Sequence, residues 1–341
     1  MTSDDYGRDL ERAVGRIGEI TPPDIAVRFR EHGNFGESSF TPIAPSWIGR
    51  VLAIDGSSAM VVEGGSFSIG AIRAVATAFS RGERAFIAGT GIRLVSIGRE
   101  EHDQDFARLY RDCFGCEPVT PLDDRDRLTA ASVFRDTLEY GTASAVLGRL
   151  GSTDLILLDG ALRVSHASHD PPMSTLIRNC TRTGIGLAAV TKRTSATWGG
   201  GFPLVRSAVA LSVHLGIPAP WCLQVPDRLL DGTRFREWAH GDTWVGLLHQ
   251  KAGTAFKVEL PRGTAGEAAA RIFSAMAGCS DDGRVTGYPY PLLDAHRQAA
   301  ITGNILVQLR QHLIRELGMS GLEFPDYRNL FGDYHDELER Y

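Results

Sequence analysis

Val51-Leu52-Ala53-Ile54-Asp55-Gly56-Ser57-Ser58 and, later in the chain, Leu155-Ile156-Leu157-Leu158-Asp159-Gly160 are the two stretches on which the fold reading turns. Each is a run of four apolar residues closed by Asp-Gly. An unbroken apolar run of that length reads as a strand buried on both faces, the mark of parallel pairing inside a sheet. Asp-Gly reads as a sharp turn at the strand's C-terminal end. A carboxylate placed there is held by a rigid strand and faces a cleft. Two such carboxylates on neighbouring strands can share a divalent cation, and hard oxygen ligands suit Mg²⁺ or Mn²⁺. Either Asp-Gly taken alone reads equally well as an ordinary turn; the repeated context is the signal.

Working outward, Met60 to Ile72 alternates apolar and small residues around a Gly64-Gly65 turn and continues through Arg73 to Phe79. Residues 92–97 form another strand candidate, so the early strands suggest an antiparallel meander. Residues 124–150 and 174–179 are helical in pattern, and Gly186 to Thr191 is a further buried strand. Helices alternating with strands imply parallel pairing in the middle of the chain. Thr243 to Leu248 and Ala255 to Leu260 read as a late hairpin, and Ala265 to Ala277 as a helix. Leu292 to Leu317 reads as one long helix with Ile301, Ile305, Leu306, Leu309 and Leu313 on a stripe. Residues 3–20 read as an amphipathic helix that Ser3 can cap, with Leu10, Val14, Ile17 and Ile20 at helical spacing. Gly33 to Ser46 reads as loop, and 199–241 mixes Gly, Pro and apolar patches without a clear period. The expectation is one compact α/β domain with a mixed central sheet flanked by helices.

Composition narrows the function. A net charge of −5 over 341 residues argues against a protein that coats nucleic acid by bulk positive charge, while leaving room for a local basic channel. The five cysteines are an odd, scattered set rather than a disulfide framework, which fits a reducing cytoplasm. Cys113 and Cys116 make one CxxC with no second pair to complete a zinc site. The N-terminus lacks the apolar core of a signal peptide, and no run approaches the length of a membrane span, so an intracellular protein is expected. There is no GxxxxGK[ST] phosphate loop and no GxSxG elbow, and Gly199-Gly200-Gly201 lacks a strand–helix context. Nothing points to ATP hydrolysis, hydride transfer or a serine hydrolase.

Further residues carry chemistry by position. Glu139 lies on the helix before the second quoted strand. Tyr288-Pro289-Tyr290-Pro291 is a rigid aromatic loop leading into a helix with Asp294 and His296. Lys192 closes a buried strand and, with Arg193 and flanking hydroxyls, can hold phosphate oxygens. His166 and His169 form an HxxH that lacks a third ligand. Each also has a bland reading: a solvated helical glutamate, a surface histidine, a charged strand end.

Taken in order, a strand ending in IDGS, a helical LE, a strand ending in LLDG, a strand ending in VTK and a late YPYPLLDAHR resemble the NurA nucleases over about residues 48–310. The resemblance implies an RNase H-like core, with residues 1–30 as an N-terminal helical segment and 199–241 as a possible insertion. It also implies a divalent-metal-dependent deoxyribonuclease of DNA end resection in double-strand-break repair, with 5′–3′ exonuclease and single-strand endonuclease activity. Carried over by position, Asp55, Glu139, Asp159 and His296 would hold Mn²⁺ or Mg²⁺, as two ions, with Asp136 the alternative to Glu139. Tyr288 would join the catalytic group, and Lys192 and Arg193 would contact DNA. The implied partners are DNA ends, single-stranded DNA, a second copy of the chain and a HerA-type hexameric ATPase. Two other readings stay open: a non-catalytic RNase H-like adaptor for DNA ends or for the motor, and an RNase H-like phosphotransferase, of which Gly64-Gly65 would be the phosphate hairpin.

Overall fold

The two quoted runs lie side by side at the centre of one sheet. In the computed structural model, which describes residues 3–64, 68–122, 127–232, 238–264 and 266–321, the chain runs α1 (Ser3–Ile20), α2 (Ile25–Gly33), β1 (Phe40–Pro42), β2 (Val51–Glu63), β3 (Ser68–Ser80), β4 (Glu83–Gly89) and β5 (Arg93–Ile97). It continues through α3 (Arg99–Phe114), α4 (Arg127–Val146), β6 (Leu155–Asp159), α5 (Asp170–Thr183), β7 (Gly186–Thr191), β8 (Thr197–Trp198), β9 (Phe202–Pro203), α6 (Leu204–His214) and β10 (Trp221–Val225). It ends with β11 (Gly241–Leu247), β12 (Phe256–Pro261), α7 (Gly266–Gly278), α8 (Tyr290–Ala299) and α9 (Gly303–Met319). Gly65, residues 124–126 of the expected 124–150 helix, residues 233–237 and Ala265 lie outside the described residues.

The sheet order is β1-β10-β11-β12-β7-β6-β2-β3-β4, with β5 also on β3. β2, β3 and β4 are antiparallel neighbours; β6 and β7 follow on the other side of β2, both parallel to it. A three-stranded meander continued by two parallel strands is the RNase H-like core that the sequence led us to expect, in a mixed sheet flanked by helices. Alternation along the central strands explains the unbroken apolar runs. Val51, Ala53, Leu155 and Leu157 face one side, against α7 and α8. Leu52, Ile54, Ile156 and Leu158 face the other, against α4 and α5. A strand covered on both faces has no solvent side to be polar.

Two expectations need correction. β2 does not end at Asp55. It runs on to Glu63, with Gly56 opposite Ala74 and Ser57 opposite Arg73 on β3, because the small residues after Asp55 pair as well as apolar ones and Val61 and Val62 bury further along. The expected helix 292–317 is two helices. Ala300 leaves helical geometry, Thr302 is extended, and the chain resumes as α9. One straight rod could not keep His296 beside β2 and also lay Ile301, Leu306, Leu309 and Leu313 on Val61, Val62 and Ala71. Region 199–241 contributes β9, α6 and β10; β10 extends the sheet between β1 and β11. The amphipathic α1 forms as expected, with Leu10, Val14, Ile17 and Ile20 on its exposed surface.

One ion pair sets where β2 and β6 begin. The buried Asp154 carboxylate accepts from the backbone N–H groups of Arg50 (2.7 Å) and Gly151 (2.8 Å) and from the Arg50 guanidinium (2.7 Å). Burial alone would raise this carboxyl; the hydrogen bonds and the charge of Arg50 outweigh it and hold the group below its ordinary value. A depressed folded value means the stabilisation is present above the unfolded carboxyl's value, about 3.9, and is lost as pH falls through the folded one. Asp154→Asn should cost about 1–3 kcal/mol at neutral pH. The gap from wild type in chemical denaturation should shrink below about pH 4.

Candidate functional site

Parallel register sets the site. Ile54 pairs with Leu158, so the next residues, Asp55 and Asp159, stand abreast on adjacent strands. Both follow the alternation of Val51, Ala53, Leu155 and Leu157, and so face α7 and α8. β6 does end at its aspartate, and Gly160 takes a φ of 122°, a turn open only to glycine. α8 brings the third group: His296 Nδ1 lies 2.7 Å from Asp55 Oδ2. α8 is fixed over the sheet by the Arg84 guanidinium of β4, which donates to buried Asp294 (Nε to Oδ2, 3.0 Å), and by the Thr77 hydroxyl of β3, which donates to the Pro291 carbonyl (3.1 Å).

Asp55, Asp159 and His296 each offer a ligand atom within 4.8 Å of the others. Asp55 is almost fully buried and His296 is half open, so the cluster has a closed back and an accessible mouth. Lys192, at the end of β7, pairs with Asp159, and its Nζ lies 5.7 Å from the centre of the Tyr288 ring. Burial pushes the Asp55 carboxyl up, and the charge of Asp159 pushes it further, against the opposing pull of Lys192 and His296. Burial, then Asp159 and Asp55, likewise raises the Tyr288 phenol. The buried Tyr288 hydroxyl has no hydrogen-bond partner among the described residues. In both groups burial comes first, and the negative charge converging here adds to it. Two carboxylates and an imidazole in reach of one point form a donor set for a hard or borderline divalent cation.

Glu139 approaches from the other side of the sheet. Gly56, on the strand face opposite Asp55, leaves the space: a Cβ there would stand 2.4 Å from Glu139 Oε1 and 2.9 Å from Arg135 Cγ. Glu139 is paired with Arg135 at 3.3 Å and lies outside the group of three ligand atoms. Burial, then the charge of Asp136, holds its carboxyl well up; Arg135 opposes this, and Asp55 and Asp159 add to it. Asp136, the alternative helical acid, is bonded to Arg135 and is perturbed by burial and Arg135 alone. Glu139 thus packs on Gly56, next to Asp55 in the chain, while Asp136 is held by Arg135. Arg193 lines a neighbouring cavity.

The HxxH is structural. His169 is fully buried with Nε2 2.8 Å from the Thr137 hydroxyl, and burial takes it down to about 3. His166 Nδ1 accepts from the Ser168 N–H. All five cysteines are free thiols.

A family model for the NurA domain matches residues 49–249. The chain belongs to the NurA family. Among solved structures it is similar to the NurA nuclease from Sulfolobus solfataricus, with a TM-score of 0.56 at 11% identity over 95% of this chain and 99% of that one. It is also similar to a second NurA structure, with a TM-score of 0.52 at 10% identity over 89% and 97%. At such identities the likeness speaks for the fold. No curated protein matches the sequence.

The sequence reading missed Arg135 and the Arg84–Asp294 clamp. Arg135 could have been found, since it sits one helical turn before Glu139, the spacing at which a helix pairs its side chains. Gly56→Ala would drive the Glu139 carboxyl and Arg135 off the strand. If Glu139 serves this NurA-family site, the variant should keep its circular dichroism spectrum while kcat for cleavage falls by about 10²-fold. An unchanged kcat would detach Glu139 from the site.

Proposed function

We propose that this chain is a divalent-metal-dependent deoxyribonuclease acting on DNA ends and single-stranded DNA, as a 5′–3′ exonuclease and single-strand endonuclease. The observation that carries the reading is the convergence of Asp55, Asp159 and His296 within 4.8 Å at the ends of rigid elements. The NurA family and its nuclease in Sulfolobus solfataricus support it. Asp55, Asp159 and His296 would hold Mn²⁺ or Mg²⁺, with Glu139 completing the set for a pair of ions. When bound, such ions would activate water and stabilise charge on the leaving oxygen of a phosphodiester.

The chain's own groups prepare the rest. Asp55 accepts from His296 and so fixes the imidazole at the mouth. Lys192, paired with Asp159, would supply its ammonium to a neighbouring phosphate were a cation to take over Asp159. Tyr288 offers a buried, unpartnered hydroxyl that can donate to a phosphate oxygen or orient a water molecule. Arg193 would contact the adjacent backbone.

The remaining assignments extend this reading. The exposed apolar stripe of α1 supports self-association as a homodimer. The free thiols support a reducing cytoplasm. Among the described residues no helix is long and apolar enough to cross a membrane. The lack of a nucleotide-hydrolysing motif supports a separate motor, a HerA-type ATPase, in end resection for double-strand-break repair.

The test is cleavage of 5′-labelled and 3′-labelled DNA, single- and double-stranded, in Mn²⁺, Mg²⁺ or EDTA. Wild type should cut only with metal, and the order of product lengths should give 5′–3′ polarity. Asp55→Ala should reduce cutting on the order of 10³-fold with the fold retained. Equal cutting by Asp55→Ala would refute the site. No cutting by wild type, with or without the ATPase, would favour the adaptor.

A further inference from the structure

On the face where Asp55, Asp159 and His296 meet, the cover over the sheet parts at one place. Ser57 and Ala59 follow Asp55 along this face of β2, and Val75, Arg73 and Ala71 stand opposite the three in turn on β3. Asp55 and Val75 are buried at one end of this row, and Val61 and Ala71 are buried under α9 at the other. Between them Ser57, Ala59 and Arg73 are only half-buried. The opening lies where α8 gives way to α9: the Ile301 N–H, in the break between the two helices, donates to the Ser57 hydroxyl at 3.3 Å.

The charged side chain in this opening has nothing to bind. Arg73 Nε is buried, and the guanidinium has no hydrogen-bond or ion-pair partner among the described residues. Its neighbours on the strand pair are serine, alanine and valine, and an apolar residue in its place would spare the cost of a shielded cation. Such a group calls for a partner outside the chain. The acids of the cluster are matched by other cations, Asp55 by His296 and Asp159 by Lys192. Arg73 stands diagonal to Asp55, at a Cα separation of about 7–8 Å, which an arginine side chain spans. Across the adjacent strands β7, β6, β2 and β3 the charges run Lys192, Asp159, Asp55, Arg73. Two carboxylates are thus flanked by a cation on each side. The row crosses three strand spacings, about 14 Å, more than a single phosphate group covers.

We propose that Arg73 holds the backbone phosphate of a DNA strand that neighbours the phosphate at Asp55 and Asp159. The proposal rests on the nuclease reading and adds to it a contact that fixes the strand over the cluster. A guanidinium is a planar fork that grips two phosphate oxygens at once. A lone anion would meet the repulsion of the acidic cluster, whereas the next phosphate of a strand already held there is delivered by its own backbone. Strand pairing fixes Arg73 relative to Asp55, so gripping that phosphate sets the line along which the cleaved bond is presented.

The test is DNA binding measured apart from cleavage. Full-length wild type, Arg73→Gln and Arg73→Lys are titrated in EDTA into a fluorescent single-stranded oligonucleotide, by anisotropy, at a series of salt concentrations. Arg73→Gln should bind about tenfold more weakly at low salt. Its slope of log affinity against log salt should be shallower by about 0.7, the share of one phosphate on a single strand. Arg73→Lys keeps the charge and loses the fork, so it should keep the wild-type slope with an affinity between the other two. Mn²⁺ affinity, read by electron paramagnetic resonance, should be the same in all three, since Arg73 pairs with neither carboxylate. The urea midpoint of Arg73→Gln should not fall below that of wild type, because no bond within the protein is lost. Equal affinity and slope in wild type and Arg73→Gln would overturn the proposal, as would a loss accompanied by weaker Mn²⁺ binding or a lower urea midpoint. Cleavage by wild type in Mn²⁺ reports separately on the nuclease reading: Arg73-dependent binding in a protein that never cuts would leave this contact standing and remove the catalysis.

Discussion

Two like charges are held abreast by parallel strand pairing, and the surrounding structure is arranged to tolerate that. Register between β2 and β6 places Asp55 beside Asp159, and neither can move away without breaking the centre of the sheet. Their repulsion in a partly buried setting is costly unless opposite charge is near. Lys192 and His296 supply part of it from two different elements. A divalent cation bound between them would supply the remainder.

Around this pair the fold is a set of constraints on approach. From one side, α8 is clamped by Arg84 on Asp294 and by Thr77 on the Pro291 carbonyl, so the imidazole of His296 is delivered by a rigid helix. From the other, Gly56 leaves a gap in β2 that Glu139 and Arg135 fill. Sites built on strands and helices hold their geometry more closely than sites built on loops.

Much of this was legible in the sequence because it is local. The run Leu155–Leu158 announces a strand covered on both faces, and Asp159-Gly160 announces its end. The same signal misled at Asp55: Asp-Gly marks a turn when glycine is needed for its backbone, whereas Gly56 is there for the space its missing side chain leaves to Glu139, which no local pattern records. The break between α8 and α9 was hidden because the apolar stripe continues across it, and what divides the helix is the pair of separate targets on β2. Within 199–241, β9 is two residues long, too short to show a period, and β10 is recognisable only by its partners. The Arg84–Asp294 clamp joins positions far apart in the chain, and single-sequence reading has no access to such pairs.

Asp55, Asp159 and His296 are proposed to form a divalent-metal site. Titration of the full chain with Mn²⁺, followed by electron paramagnetic resonance, measures this without any DNA or catalysis. Wild type should bind saturably, with affinity weakened on the order of 100-fold in both Asp55→Asn and Asp159→Asn and the fold retained in each. Equal Mn²⁺ affinity in wild type and both variants would contradict it.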